Sequence, residues 1–171
     1  LAAGRTLFDE RQFDEVTTAE LVEASGLTTG TFFRYATSKS ELLISIYSDR
    51  LVDGIEAARS SDPALGAHAR LMILFEPIIA ACEQNAGNIM AFQREVLYGT
   101  GSGPQRTRAI ELIHSIETEI RAILTASDLD VHLAHSIYAT AYMGIVRMGV
   151  GNIAPSELRA DVSKRLRRII G

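Results

Sequence analysis

Residues 17–43 read TTAELVEASGLTTGTFFRYATSKSELL. The pattern is a helix, a tight turn, a short helix, a loop and the start of a longer helix. Thr17 and Thr18 stand ahead of a small apolar face made by Leu21, Val22 and Ala24, where a hydroxyl oxygen caps a helix N-terminus. Ser25-Gly26-Leu27 ends that first helix: Gly26 supplies the positive φ of a sharp turn, and Leu27 is expected to pack back between the two helices. Thr28 or Thr29 caps the second helix, which ends near Tyr35. Two short helices joined by a three-residue turn containing Gly have the grammar of a helix-turn-helix.

The second helix is unlike a core helix. Thr28, Thr29, Gly30 and Thr31 sit at its N-terminus, where free N–H groups and the helix dipole favour a phosphate. An internal Gly costs about 1 kcal/mol relative to Ala in so short a helix, and Gly30 is explained by a close approach to something outside. Arg34, Tyr35 and Lys39 add donors for phosphate or base edges, and residues 27–40 contain no acidic side chain. The competing reading on spacing alone is a small helical hairpin with a solvated polar face.

The full string closely resembles the N-terminal domain of TetR-type transcriptional regulators. The matching residues are Phe13, Val16-Thr17-Thr18, Ala24-Ser25-Gly26-Leu27, Gly30-Thr31-Phe32-Phe33, Tyr35 and Ser38-Lys39. Phe33 stands where that family often has Tyr, Ala36 where a bulky Phe is usual, and Ser40 where Glu is common. The resemblance covers about the first fifty residues. It implies an all-α fold of about nine helices, with a helix-turn-helix DNA-binding domain over 1–45 and a helical effector-binding and dimerisation domain over 46–171. It also implies a double-stranded DNA operator, a small-molecule effector and a homodimer formed through the last two helices. The DNA-contacting set carried over is Thr28, Thr29, Gly30, Thr31, Phe33, Arg34, Tyr35 and Lys39. Thr28 and Thr31 are assigned to phosphates, Thr29 and Arg34 to base edges, and Tyr35 and Lys39 to the backbone.

The rest of the 171 residues carries helical periodicity without a motif. Ser38 caps a long helix to about Arg59, with Leu42, Leu43, Ile46, Tyr47, Leu51 and Ile55 on one stripe. Asp62-Pro63 is read as the start of the next helix, which carries the apolar run LMILFEPIIAAC and is expected to kink near Ile73–Leu74 because of Pro77. Asn85-Ala86-Gly87 reads as a turn, with the following helix starting near Asn88. The loop 99–104 lacks the Lys-Ser/Thr of a phosphate-binding loop. The helix after it is read with Ile110, Ile113, Ile116, Ile120 and Leu124 inward. Asp128 is expected to cap the eighth helix, which is rich in small residues, and Pro155-Ser156 to open the ninth.

An effector pocket implied by the resemblance is expected around Met72, Phe75, Glu76, Met90, Gln93, His114, Tyr138, Tyr142 and Met143, although Glu76 alone reads more simply as a paired carboxylate. The proposed relay is a ligand near Pro77 acting on the reader through the long helix. Apolar residues make up 47% of the chain and no apolar run is long enough to span a membrane. The lone Cys82 suits a cytoplasmic protein and reads as an inert buried thiol. His132 and His135 read as exposed helix residues rather than metal ligands, and the chain shows no catalytic constellation, so neither metal, cofactor nor enzymatic activity is expected. The net charge is −4, and residues 1–50 hold five basic against eight acidic side chains. That balance sustains a rival reading, a helical small-molecule-binding or interaction module that has lost DNA binding.

Overall fold

The computed structural model describes residues 2–100 and 103–171, with the side chains of Ala2, Ala3 and Tyr35 outside that description. Nine α-helices and no strand are found among the described residues: α1 Ala2–Glu10, α2 Thr18–Ser25, α3 Thr29–Tyr35, α4 Lys39–Arg59, α5 Ala67–Gln84, α6 Ala86–Tyr98, α7 Pro104–Ala126, α8 Ala134–Gly149 and α9 Leu158–Ile170. None is long and apolar enough to cross a membrane.

Helices α1–α3 form a small N-terminal unit. Thr17 and Glu20 close a capping box at the start of α2. The Thr17 hydroxyl accepts from the Glu20 amide at 3.2 Å, and the Glu20 carboxylate accepts from the Thr17 amide at 2.7 Å. Gly26 ends α2 at φ 65°, as its position in the turn requires. Leu27 departs from expectation: it is 41% exposed, and Leu21, Phe32, Phe8 and Val16 fill the space between the helices instead. Those side chains project from helix faces, whereas the turn aims Leu27 outward.

Helix α4 joins the two parts of the chain. Its first turns pack Leu42, Leu43 and Ile46 on the N-terminal unit, and Leu51, Ile55 and Ala58 continue the same core among α5–α9. It touches α5 at Gly54, where an added Cβ would collide with the Leu74 carbonyl oxygen. Helix α5 is continuous through Pro77.

Three boundaries differ from the sequence reading. Residues 63–65 form a turn, with the Asp62 side chain accepting from the Ala64 amide at 2.8 Å, and α5 begins only after Gly66. Ala86 and Gly87 lie inside α6, because the Asn85 side chain caps that helix by accepting from Asn88 N at 3.2 Å. Asp128 sits at φ 56° beyond α7, and it is Asp130 that caps the 3-10 turn leading into α8. Ile110 is exposed, with Ala109 buried in its place. Gly144 brings α8 close against Val162 and Leu158 of α9.

Gly54→Ala forces a methyl group against backbone that has no rotamer with which to yield. We expect a loss of about 2 kcal/mol, within the usual range for overpacking. At this chain length that is a fall of roughly 4–8 °C in calorimetric melting temperature. An unchanged melting temperature would show that α4 and α5 separate freely.

Candidate DNA-binding surface and ligand cavity

Helix α3 shows two faces. Phe32 points inward at 5% exposure and Ala36, just past the helix, is buried at 4%, so the small residue is accommodated at that site. Thr29, Gly30, Phe33 and Arg34 lie on the opposite, exposed face. Open space surrounds the position of a Gly30 side chain, and Arg34 has no partner among the described residues. Phe33 is 40% exposed and meets Phe32 edge to face at 5.6 Å. Thr28 is the helix cap: its hydroxyl oxygen accepts from Thr31 N at 3.3 Å and bonds the Thr31 hydroxyl at 3.0 Å. The side chain of Tyr35 lies outside the described residues.

Lys39 is placed otherwise than the sequence reading had it. Its ammonium donates to the carbonyls of Phe13 at 2.7 Å and Val16 at 2.9 Å, and lies 4.2 Å from the Phe13 ring centroid. A free backbone-clamping cation was the expectation; tertiary folding instead brings two carbonyl oxygens within its reach, and it ties the start of α4 to the turn before α2.

Two further ties fasten this unit to the remaining helices, and neither was seen in the sequence. The Asn88 side chain, fully buried, donates to Phe8 O at 2.6 Å and Arg11 O at 2.8 Å, and accepts from Phe13 N at 2.5 Å. Asn85 donates to the same two carbonyls at 3.1 and 3.3 Å. These asparagines of α6 thus satisfy groups at the C-terminal end of α1 that no helical partner can reach. The second tie is Glu41, buried at 8% exposure, which accepts from Gln105 N at 3.1 Å at the start of α7. A carboxylate at a helix N-terminus is favoured by the helix dipole. The sequence signal for both ties is a polar residue inside an apolar helical stripe, which does not name its partner.

The larger part of the molecule holds a cavity of about 380 Å³ that opens partly to the surface. Every helix from α4 to α9 contributes to its wall: Leu51; Phe75, Ile78 and Ile79; Ile89, Phe92, Gln93, Val96 and Leu97; Ile113 and Ile116; Tyr138, Ala141, Tyr142 and Ile145; Val162. Of the pocket residues expected from sequence, Phe75, Gln93, Tyr138 and Tyr142 line it. Met72 packs beside the core. Glu76 is drawn away by Arg159 of α9, which also holds Glu83 at 3.0 Å. Met90 faces Gly149 of α8. His114 is exposed and bonded to Ile110 O at 2.9 Å, and Met143 is 49% exposed on the α8–α9 side. Helical spacing alone could not rank these residues, because each helix buries more than one face in the bundle.

His132 and His135 are exposed, and no cluster of metal-ligating side chains occurs among the described residues. Cys82 is fully buried, and burial pushes its thiol up to about 12, which makes it unreactive.

Residues 1–46 match the family model of the bacterial regulatory proteins of the tetR family. No curated protein matches the chain significantly by sequence. Similar solved structures include a TetR transcriptional regulator from Rhodococcus sp. RHA1, with 14% identity, TM-score 0.69, and coverage of 98% of this chain and 91% of that one. The repressor FadR of Thermus thermophilus, solved with lauroyl-CoA, has 22% identity, TM-score 0.69 and coverage of 98% and 90%. The regulator PfmR, also of Thermus thermophilus, has 20% identity, TM-score 0.60 and coverage of 98% and 94%.

Two measurements check the local chemistry of this surface. Glu20 is held at about 2, chiefly by its hydrogen bond from Arg11 at 2.6 Å and then by the Thr17 amide and hydroxyl. A depressed carboxylate stabilises the fold above its unfolded value and loses that contribution as pH falls through the folded one. Glu20→Gln is therefore expected to lower stability at pH 7, with the difference from wild type closing between about 4.5 and about 2; a constant difference across that window would contradict the assignment. Lys39→Met should lower the melting temperature while leaving the salt slope of any DNA binding unchanged, whereas loss of a phosphate contact reduces that slope by about 1. Residues 1–46 thus match the N-terminal domain model of the tetR-family regulators, and the chain shares its fold with the three solved regulators.

Proposed function

We propose that the exposed face of α3 reads the major groove of an operator, with the chain acting as a homodimeric repressor released by a small molecule in the α4–α9 cavity. The observation that carries the reading is that face itself. Thr29, Gly30, Phe33 and Arg34 are turned outward on a short helix anchored from behind by Phe32, and Gly30 leaves room for close approach. Arg34 is the candidate for a base edge and Phe33 for apolar contact with a thymine methyl. Residues 1–45 are the reader and 46–171 the effector and dimer part, with α4 shared between them.

Release requires the cavity to bias the reader, since a ligand shifts an equilibrium only by its differential affinity for the two states. Two routes leave the cavity wall. One is α4, where Leu51 lines the cavity and Leu42, Leu43 and Ile46 pack on the N-terminal unit. The other is α6, where Ile89 and Phe92 line it one turn from the Asn85 and Asn88 ties to α1. The homodimer is assigned to α8 and α9, where Met143 and Ile169 border a groove on the outer surface. The FadR structure holds an acyl-CoA, which supports a ligand-responsive reading of the shared architecture.

The test is selection from random oligonucleotides followed by binding of the enriched duplex across a salt series. Steep salt dependence is expected. Arg34→Ala should weaken specific binding by about tenfold or more, the worth of one base contact. Asn88→Ala should keep part of the operator affinity while blunting its response to ligand. No enrichment of any sequence would favour a small-molecule module that does not read DNA.

A further inference from the structure

The wall of the cavity restricts the chemistry of what enters it. Its surface is hydrocarbon from six helices, and its polar groups are the Gln93 carboxamide and the phenols of Tyr138 and Tyr142. Those two rings stand nearly parallel, 6.3 Å apart at 19°. Among the described residues, none that lines the cavity carries a charge. Several charged groups of the surrounding helices are engaged elsewhere: Glu76 and Glu83 with Arg159, Glu119 with Arg59 at 2.8 Å, and Arg106 with the Val96 carbonyl at 2.7 Å. A carboxylate or ammonium entering the cavity would lose its hydration without meeting a counter-ion, and an isolated ion in such surroundings is strongly disfavoured. Burial also raises the Tyr138 phenol above its ordinary value, consistent with a dry wall.

We infer that the group bound in this cavity is an uncharged, largely hydrocarbon moiety with one or two polar atoms, and that an ionised head of either sign is excluded from it. The inference rests on reading the cavity as the effector site. At an interior packing density of about 0.74, the space takes roughly fifteen carbon-sized groups. Gln93 offers both a donor and an acceptor, so it pairs with a hydroxyl, an ester, a thioester or an amide. Such a moiety arrives either as a free neutral molecule or as the tail of a conjugate whose charges stay outside.

The experiment is isothermal titration of the full chain with 1-dodecanol, methyl dodecanoate, dodecanoate and dodecylammonium at pH 7.5, all below micelle formation. The four share one hydrocarbon chain and differ in head group. The two neutral compounds should bind at least about tenfold more tightly than either ion, a difference of one decade in Kd. Phe75→Trp, in a chain that otherwise has no Trp, reports occupancy of this cavity by fluorescence. If that variant fails to fold, competition between the compounds on the wild-type chain carries the comparison. An ion that binds as tightly as dodecanol overturns the inference, and so does a failure of both neutral compounds to bind. Displacement of dodecanol by dodecanoyl-CoA supports the tail of a conjugate as the occupant, while binding of dodecanol without such displacement supports the free neutral molecule. A neutral ligand that binds without changing operator affinity removes the regulatory reading and leaves the ligand class standing. An ion that releases the operator does the reverse.

Discussion

The end of α1 is the constraint on which the rest of the structure depends. A helix that stops leaves carbonyl groups without intrahelical partners, and here Phe8 O and Arg11 O are met by the side chains of Asn85 and Asn88. Asn88 also takes the amide of Phe13, the first residue of the turn toward α2. One buried side chain therefore sets where α1 ends, where the chain turns and how α6 lies against both. Leaving such groups unpaired in the interior costs about 1–3 kcal/mol each. The N-terminal unit is consequently held to the remaining helices by directional bonds as well as by apolar contact.

Directional bonds matter for function because apolar packing alone tolerates sliding. The same α6 that makes these bonds presents Ile89, Phe92 and Gln93 to the cavity. Glu41 makes a comparable bond to the start of α7, whose Ile113 and Ile116 lie on the cavity wall. Lys39 holds the start of α4 to the turn that precedes α2. Helices that wall the cavity are thereby bonded directly to the ends of the helices beside α3. In this arrangement Lys39, Glu41, Asn85 and Asn88 fix how the N-terminal helices sit, and the outward face of α3 stays exposed.

The cavity and the face of α3 differ in character. The face of α3 is exposed and mixed, with Thr29 and Arg34 beside Phe33 and a glycine at its centre. The cavity is lined by aliphatic and aromatic groups, with charges on the surrounding helices drawn into ion pairs such as Arg159 with Glu76 and Glu83. Those charges are paired away from the lining residues named above.

Local patterns settled much of the architecture before any tertiary contact was known. The cap at Thr17, the turn at Gly26, the cap at Ser38 and the extent of α4 were legible because each depends on neighbours within four residues. Boundaries failed where a distant or ambiguous partner decided them, as at Asn85, whose side chain both caps α6 and bonds α1, and at Gly66, which delays α5 past Pro63. Thr29, Gly30, Phe33 and Arg34, which the family resemblance had singled out, are exposed on α3. The cavity wall did not follow the sequence reading: Phe75, Gln93, Tyr138 and Tyr142 reach it, whereas Met72, Glu76, Met90, His114 and Met143 do not. The physical reason is the same for Lys39. Periodicity places a side chain on a helix face, but the burial of several faces in a bundle, and the carbonyls or counter-ions that folding brings near, determine what that face meets.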